Sequence, residues 1–315
     1  MRLLIGYILL SFSSYAQSFA PEPGVPGSTA IHSDSSIILE WVSNLTVSRG
    51  YLDIAIPGLG FTTYGTAQDA IGAADGISVV SLGDGGEAVV QLERPIFDGP
   101  GPDFAIFENG FVDHYMEFAF VEVSTNGVDF VRFVSTSEIP VTNQIDNFSS
   151  SDCRMVNNLA GKYRQSYGTP FDLSELSDSS AVDISEVNYI RLIDVVGSID
   201  PIYGSFDAYG NLINDPYPTP FESGGFDLDA IGLINVQELG ISQKTESANI
   251  FPNPFSSSFN IELSGEHTLQ LIDLSGRLHK EIRFTDKVTM NAEGFLSGIY
   301  LCFLDDQQPI KIVKL

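Results

Sequence analysis

The stretch Phe118–Ser124 (FAFVEVS), a connection holding Asn126-Gly127, and Asp129–Val134 (DFVRFV) decide the fold. Both runs are rich in aromatic and β-branched residues, which suit a pleated, half-buried surface. Asn and Gly tolerate the positive φ that a tight reversal needs, so the two runs are predicted to form a hairpin. Working outward, the turn Gly83-Asp84-Gly85-Gly86 leads into Glu87–Leu92 (EAVVQL). Gly99-Pro100-Gly101-Pro102 precedes Asp103–Glu108 (DFAIFE), which Asn109-Gly110 closes. Val187–Val195 (VNYIRLIDV) and Phe226–Val236 (FDLDAIGLINV) are the later strands. Between them lie Gly-, Pro-, Ser- and Asp-rich loops, Thr142–Ser185 and Gly197–Gly225, with Asp152–Tyr163 as a candidate short helix. Short strands separated by turn chemistry predict an all-β fold, a jelly-roll-like β-sandwich with long loops.

The chain has 315 residues, of which 43% are hydrophobic and 11% aromatic, enough for a buried core and too many for a disordered acidic chain. Its 41 Asp+Glu against 15 Lys+Arg exclude nucleic acid as a partner, because phosphate recognition needs a basic footprint. Met1-Arg2, the apolar run Leu3–Phe12 and the small-x-small site Ser14-Tyr15-Ala16 before Gln17 predict an export signal over 1–16. No cysteine follows that run, which argues against a lipid anchor, and no later run is long enough for a transmembrane helix. Residues 17–240 carry 7 basic and 32 acidic side chains, whereas 241–315 carry 7 and 9. The break falls on the polar segment Gly240–Ser247, so a body (17–240), a linker (241–248) and a tail (249–315) are expected.

Glu122-Val123-Ser124-Thr125-Asn126-Gly127-Val128-Asp129-Phe130, then Tyr189-Ile190-Arg191-Leu192, then Asp229-Ala230-Ile231-Gly232-Leu233 resemble the closing half of galactose-binding-like, discoidin-type jelly rolls. The wider string from Gly83 to Gly232 is also similar to exported bacterial surface proteins of unassigned role. In the tail, the blocks are Asn249-Ile250-Phe251-Pro252-Asn253-Pro254-Phe255, Asp273-Leu274-Ser275-Gly276-Arg277, Leu296-Ser297-Gly298-Ile299-Tyr300 and Lys311-Ile312-Val313-Lys314. In order and spacing they resemble the type A C-terminal sorting domain of type IX secretion cargo. Pro252, Asn253, Pro254, Gly276, Arg277, Gly298, Tyr300 and Lys311 carry the likeness. It implies a small β-sandwich tail, a type IX translocon and a sortase-like processing enzyme as partners, and a secreted or surface location in a Gram-negative bacterium.

No nucleophile elbow, His-Glu-x-x-His helix or P-loop occurs. His32 and His114 are far apart in the chain, and Cys153 and Cys302 are expected to stay unpaired. Calcium takes six to eight oxygen ligands, and the acidic body offers candidates in Asp103, Glu108, Asp227 and Asp229. The last two are spaced to share one face of a strand. A glycosidase also needs two carboxylates, which Glu108, Glu117 and Glu122 could supply. The segment Tyr203–Phe221 mixes rings with amides and acids, so Tyr203, Tyr209, Asn211, Asn214 and Tyr217 are the candidate ligand-binding set. The expectation is a non-catalytic surface protein that binds a glycan or other small extracellular ligand, with structural calcium. The alternatives are a secreted hydrolase, and capture of a scarce cofactor or metal for an outer-membrane transporter.

Overall fold

A computed structural model describes residues 19–147, 149–237, 248–273, 277–305 and 310–315. The expected export signal (1–16), all but the last residue of the expected linker and the sorting residue Gly276 lie outside the described residues. The chain divides into two compact units, Met1–Leu239 and Gly240–Leu315.

In the first unit the strands are β1 (Ile31–His32), β2 (Glu40–Trp41), β3 (Thr46–Ser48), β4 (Val80–Ser81), β5 (Glu87–Ile96), β6 (Phe104–Glu108) and β7 (Ala119–Ser124). They continue as β8 (Val131–Arg132), β9 (Thr136–Ser137), β10 (Val156–Asn157), β11 (Tyr167–Phe171), β12 (Val187–Asp194) and β13 (Asp227–Leu233). One sheet has the order β1-β11-β6-β13-β2, with β4 also on β13; the other has the order β3-β5-β12-β7-β8. Every pairing is antiparallel.

The core lies between the sheets. Val90, Val121, Val123, Ile190 and Leu192 from one side share a buried cluster with Phe104, Ile106, Leu228 and Ile231 from the other. Phe104 stacks on Phe171 at 5.4 Å between ring centroids and meets Phe133 edge-on at 5.9 Å. Strands β6 and β13 are buried on both faces, since Ala105, Phe107 and Ala230 pack on a second cluster with Ile31 and Trp41. That double burial is why FAIFE and DLDAIGL read as near-continuous apolar runs rather than as alternation.

The predicted hairpin forms, with Glu122 opposite Arg132 and Val123 opposite Val131. Its turn is held by side chains: Ser124 Oγ accepts from Gly127 N (2.9 Å), and Asn126 Oδ1 accepts from Val128 N (2.8 Å) and Asp129 N (2.9 Å). Gly127 has φ +74°, and a Cβ there would sit 2.9 Å from the Tyr189 ring, so only glycine fits.

Two local expectations need correction. Asp152–Tyr163 is no helix: a three-residue 3-10 turn, Cys153–Met155, runs straight into β10. Val156 and Leu159 are drawn instead into a cluster with Met116, Phe118 and Phe120. The spacing of Asp227 and Asp229 also does not put them together. Register on β6 shifts between Leu228 and Ala230, making Asp229 the extra residue of a β-bulge. Asp229 turns to accept from the backbone N–H groups of Asp75 (3.1 Å) and Gly76 (3.0 Å).

The second unit is one five-stranded sheet curled around its own core. Its strands are β14 (Asn249–Phe251), β15 (Ser258–Asp273), β16 (Leu278–Asn291), β17 (Gly298–Leu304) and β18 (Ile310–Lys314), in the order β14-β15-β17-β18 with β16 on β15. The long β15–β16 ladder breaks register between Glu262 and Glu266. Phe259, Ile261, Leu269, Leu271, Tyr300 and Ile312 fill the interior. Between Pro252 and Pro254, the Asn253 side chain acts as a surrogate strand: Nδ2 donates to Lys311 O and Oδ1 accepts from Val313 N, both at 2.9 Å. Tyr300 is buried and donates to Leu296 O (2.9 Å), Gly298 pairs with Lys314, and Arg277 O accepts from Asp273 N while Arg277 N donates to the Asp273 side-chain Oδ1.

Truncating Phe104 removes a ring held by two others, so Phe104→Ala should lower the stability of the body by about 3–5 kcal/mol in denaturant titration. A loss under about 1 kcal/mol would mean that the sheets are not joined through this ring.

Candidate functional site

Antiparallel pairing brings four strand ends to one end of the sandwich. Leu228 at the start of β13 faces Glu108 at the end of β6, and Ala119 at the start of β7 faces Asp194 at the end of β12. The acids at these ends therefore collect: Glu108 and Asp227 from one sheet, Glu117 and Asp194 from the other. Asp215 joins them from the long loop, its Oδ2 accepting from Phe118 N (2.8 Å).

A pocket of about 290 Å³ opens over this end. Glu117 and Asp227 line it together with the amides of Asn109 and Asn147. Tyr64, Phe111, Tyr115 and Phe221 supply aromatic walls, with Phe111 73% and Phe221 51% exposed. No lysine or arginine is among its lining residues. Arg49 is not among the lining residues but lies close enough to act on Asp227, and it donates to the carbonyls of Tyr64 (2.8 Å), Ser81 and Gly65 (2.6 Å).

Desolvation dominates the electrostatics. Burial, reinforced by Asp227, holds Glu108 and Glu117 well above the usual carboxylate range. Burial likewise raises Asp194 and Asp215 well above it, and lifts Asp227 to about 7 and Asp84 to about 6. Tyr115 is pushed upward by burial and then by Glu117 and Asp215. Some of these acids are fully employed: Asp194 accepts from Phe226 N (2.7 Å) and Gly85 N (2.9 Å). Others are not. Among the described residues, Glu108 Oε1, Asp215 Oδ1, Asp227 Oδ1 and Asn147 Oδ1 are buried without a hydrogen-bond partner. A buried unpaired oxygen costs about 1–3 kcal/mol; of these four, those of Asp227 and Asn147 belong to residues that line the pocket.

The structure separates the metal candidates. Glu108 and Asp227 belong to this acidic end. Asp103 lies elsewhere, in a group with Asp98 and Asp172 whose ligand oxygens are within 4.8 Å of one another and could hold a cation. Both Asp103 oxygens are already engaged, by Gly99 N (2.9 Å), Asn235 Nδ2 (2.7 Å) and Leu173 N (2.7 Å). Among the glycosidase candidates, Glu117 lines the pocket, and Glu108 is buried outside its lining but near enough to raise Glu117. Glu122 is on the opposite face of its strand, bonded to Arg132 Nε (2.8 Å) and Arg191 Nε (2.6 Å).

None of the five ligand-binding candidates lines the pocket. Asn214 is fully buried and spends its amide on Ile145 N, Gln144 Nε2, Pro140 O and Asn143 O, bracing two loops. Tyr217 donates to Asp53 Oδ1 (2.8 Å), Asn211 folds onto Asp207, Tyr203 is half-buried and Tyr209 stands 70% exposed. The same loop reaches the pocket only through its last residues, Thr219 and Phe221. The wall residues Phe111 and Tyr115 went unmarked by sequence reasoning, although Asn109–Phe118 (NGFVDHYMEF) packs rings and acids directly behind a strand. Both cysteines are free and buried, and burial pushes the Cys153 thiol up to about 11, which removes it as a nucleophile.

Residues 249–315 match the family model described as the secretion system C-terminal sorting domain. This is the type IX tail, and it makes the protein a secreted or cell-surface one. No curated protein matches the chain. Among solved structures the chain is distantly similar to dimeric latent PorU from Porphyromonas gingivalis (10% identity, TM-score 0.19, 75% of this chain and 18% of that one). It is also similar to β-glucuronidases from Ruminococcus gnavus (11%, 0.21, 86% and 45%) and Parabacteroides merdae (11%, 0.20, 87% and 35%). The chain spans less than half the length of each, and likeness at this level carries no argument about activity.

The raised carboxyls set the pH response of the fold. Asp227 keeps its proton to about pH 7 when folded, whereas its ordinary value is 3.8, so folding binds protons in that window. Stability should then fall as pH rises from about 4 through about 7. Asp75 and Asp152 are held below their ordinary values, Asp75 chiefly by the Ser78 N–H and Asp152 chiefly by Arg154, and their contribution disappears under strong acid. The melting temperature of the body should therefore peak near pH 4 and drop by several degrees by pH 8, and Asp227→Asn should flatten that drop. A wild-type profile rising from pH 5 to 8 would contradict this.

Proposed function

We propose that the protein is a non-catalytic binding protein, carried out of the cell by type IX secretion, whose body takes a small extracellular ligand in the aromatic-walled acidic pocket. The observation that carries the reading is that Asp227 and Asn147, each with a buried oxygen lacking a partner among the described residues, line a cavity rimmed by exposed rings. Rings supply apolar contact for the flat faces of a ligand, and the convergent acids and amides fix its polar groups. A glycan or another compact polar molecule fits this chemistry. The body's sandwich, which we read as discoidin-like, leaves such recognition to the loops at its ends.

A hydrolase is the second reading, favoured by Glu117 and Asp227 sharing one pocket. Acid–base catalysis by two carboxyls needs environments that push their pKa values apart, one proton-bearing and one ionised. Here burial drives both upward. That uniform push favours binding over turnover.

Incubating the full chain with a panel of glycans and small polar molecules, while following bound ligand and product together, separates the two readings. Saturable binding with no product is expected. Combined Phe111→Ala and Phe221→Ala should weaken it by about 1–3 kcal/mol, and accumulation of a cleaved product would make the protein an enzyme. For export, deletion of residues 249–315 should leave a folded body inside the cell envelope, where a processing enzyme never meets it. Normal amounts of truncated body at the cell surface or in the medium would remove the tail from that role.

A further inference from the structure

We infer that the pocket's ligand is a small organic cation, an ammonium-bearing molecule whose charge sits among Glu117, Asp227 and Glu108 while its carbon skeleton lies against Phe221, Phe111 and Tyr64. This inference rests on the reading of the pocket as a small-ligand site and narrows the ligand's class.

Three observations select positive charge. The lining holds two carboxyls and two amides and no basic side chain, and Arg49, which acts on Asp227 from outside the lining, donates to three backbone carbonyls. Asp227 is 7% exposed and lines the pocket, yet its Oδ1 accepts no hydrogen bond among the described residues. Glu108 is buried behind it with Oε1 equally unpaired, Gly110 N serving only the other oxygen (2.7 Å). Neutral hydroxyls would satisfy these oxygens as acceptors but would not draw the acids, which burial keeps protonated, into their ionised form. An ammonium group supplies both donors and charge.

Two further observations select an organic cation over a metal ion. The cavity, about 290 Å³, has room for several non-hydrogen atoms beyond a bare ion. Among the described residues, the group of three acids close enough to share a metal is Asp98, Asp103 and Asp172, not the acids of this pocket. Aromatic walls add a preference that a hydrated metal ion does not exploit, because ring faces attract alkylammonium groups that have shed their water.

Binding of this kind is linked to protons. Around Asp227 stand Glu108 from β6, Glu117 and Tyr115 ahead of β7, Asp194 from β12, Asp215 from the long loop and, as the one cation acting on it, Arg49. A bound ammonium favours the ionised carboxylates, so association releases protons and tightens as pH rises through about 7.

The test uses the full chain with methylammonium, tetramethylammonium and putrescine chlorides, each against sodium chloride at matched ionic strength, and with calcium chloride and glucose as contrasts. Calorimetry and thermal melting are read at pH 6 and pH 8. At least one amine should bind saturably, more tightly at pH 8 than at pH 6. Glu117→Gln and Asp227→Asn should each weaken it by about tenfold or more, because each removes one member of a desolvated charge pair. Each variant replaces a carboxyl that burial already keeps protonated at pH 6 with a neutral amide of the same shape, so without ligand at that pH it should melt within a few degrees of wild type, which separates lost binding from misfolding. Absence of saturable binding by all three amines overturns the inference, as does undiminished binding to Glu117→Gln. Calcium binding with inert amines would make the pocket a metal site. Glucose binding that Phe221→Ala abolishes, with inert amines, would keep the pocket and refute the cation. If no probe binds and Phe221→Ala changes nothing, the reading of the pocket as a ligand site fails as well.

Discussion

Asp194 ties the two sheets together at their acidic end. Its two oxygens accept from Phe226 N, where the chain enters β13 of one sheet, and from Gly85 N, where it approaches β5 of the other. Gly225 has φ +70°, and a Cβ there would lie 2.7 Å from Asp194 Oδ1, so the chain can pass this carboxyl only as glycine. A single buried group thus receives backbone N–H groups at the approaches to two strands that belong to opposite sheets. Asp215, bonded to Phe118 N, repeats the device on β7, and Asp103 repeats it at the other end of β6. The body is braced by carboxyls that receive backbone N–H groups, which explains how so acidic a chain stays folded with few basic partners.

The same arrangement positions the pocket. Acids used as braces must lie near strand ends, where backbone N–H groups escape the ladder. Once several strand ends coincide, their acids crowd. Three of them, Glu108, Asp215 and Asp227, retain an oxygen without a hydrogen-bond partner among the described residues. The recognition chemistry proposed for the body is in this sense the unspent part of its folding chemistry. The surface pair on the other face follows a different rule: Glu122 faces Arg132 and Arg191 across neighbouring strands, while those guanidinium groups lie 4.0 Å from the rings of Phe120 and Phe130.

Much of the fold is legible from periodicity and turn residues. The strands β5, β6, β7, β12 and β13 carry aromatic and β-branched runs bounded by Gly, Pro and Asn, and each forms within a few residues of its sequence bounds. The short strands β1 to β4 contain two or three residues each, below the length at which a pattern can register. Strand β11 (YGTPF) hides behind Gly168 and Pro170, which normally signal a loop. At the site, Glu108 and Asp227 are legible as acids on strands, but the bulge at Asp229 is a tertiary event that no two-residue spacing reveals. The walls Tyr64, Phe111 and Phe221 come from three separate loops. Their convergence depends on strand order, which local sequence does not encode.

The tail's closure has a bearing on synthesis. Asn253 and Phe255, near its beginning, are fixed by β18, the segment farthest downstream: Asn253 Oδ1 accepts from Val313 N, Phe255 N donates to Val313 O, and Leu315 N returns to Phe255 O. The sorting unit cannot complete its sheet until that strand has left the ribosome. A chain halted before Ile310 would therefore carry the first strands of this sheet without the segment that holds Asn253 and Phe255 in place.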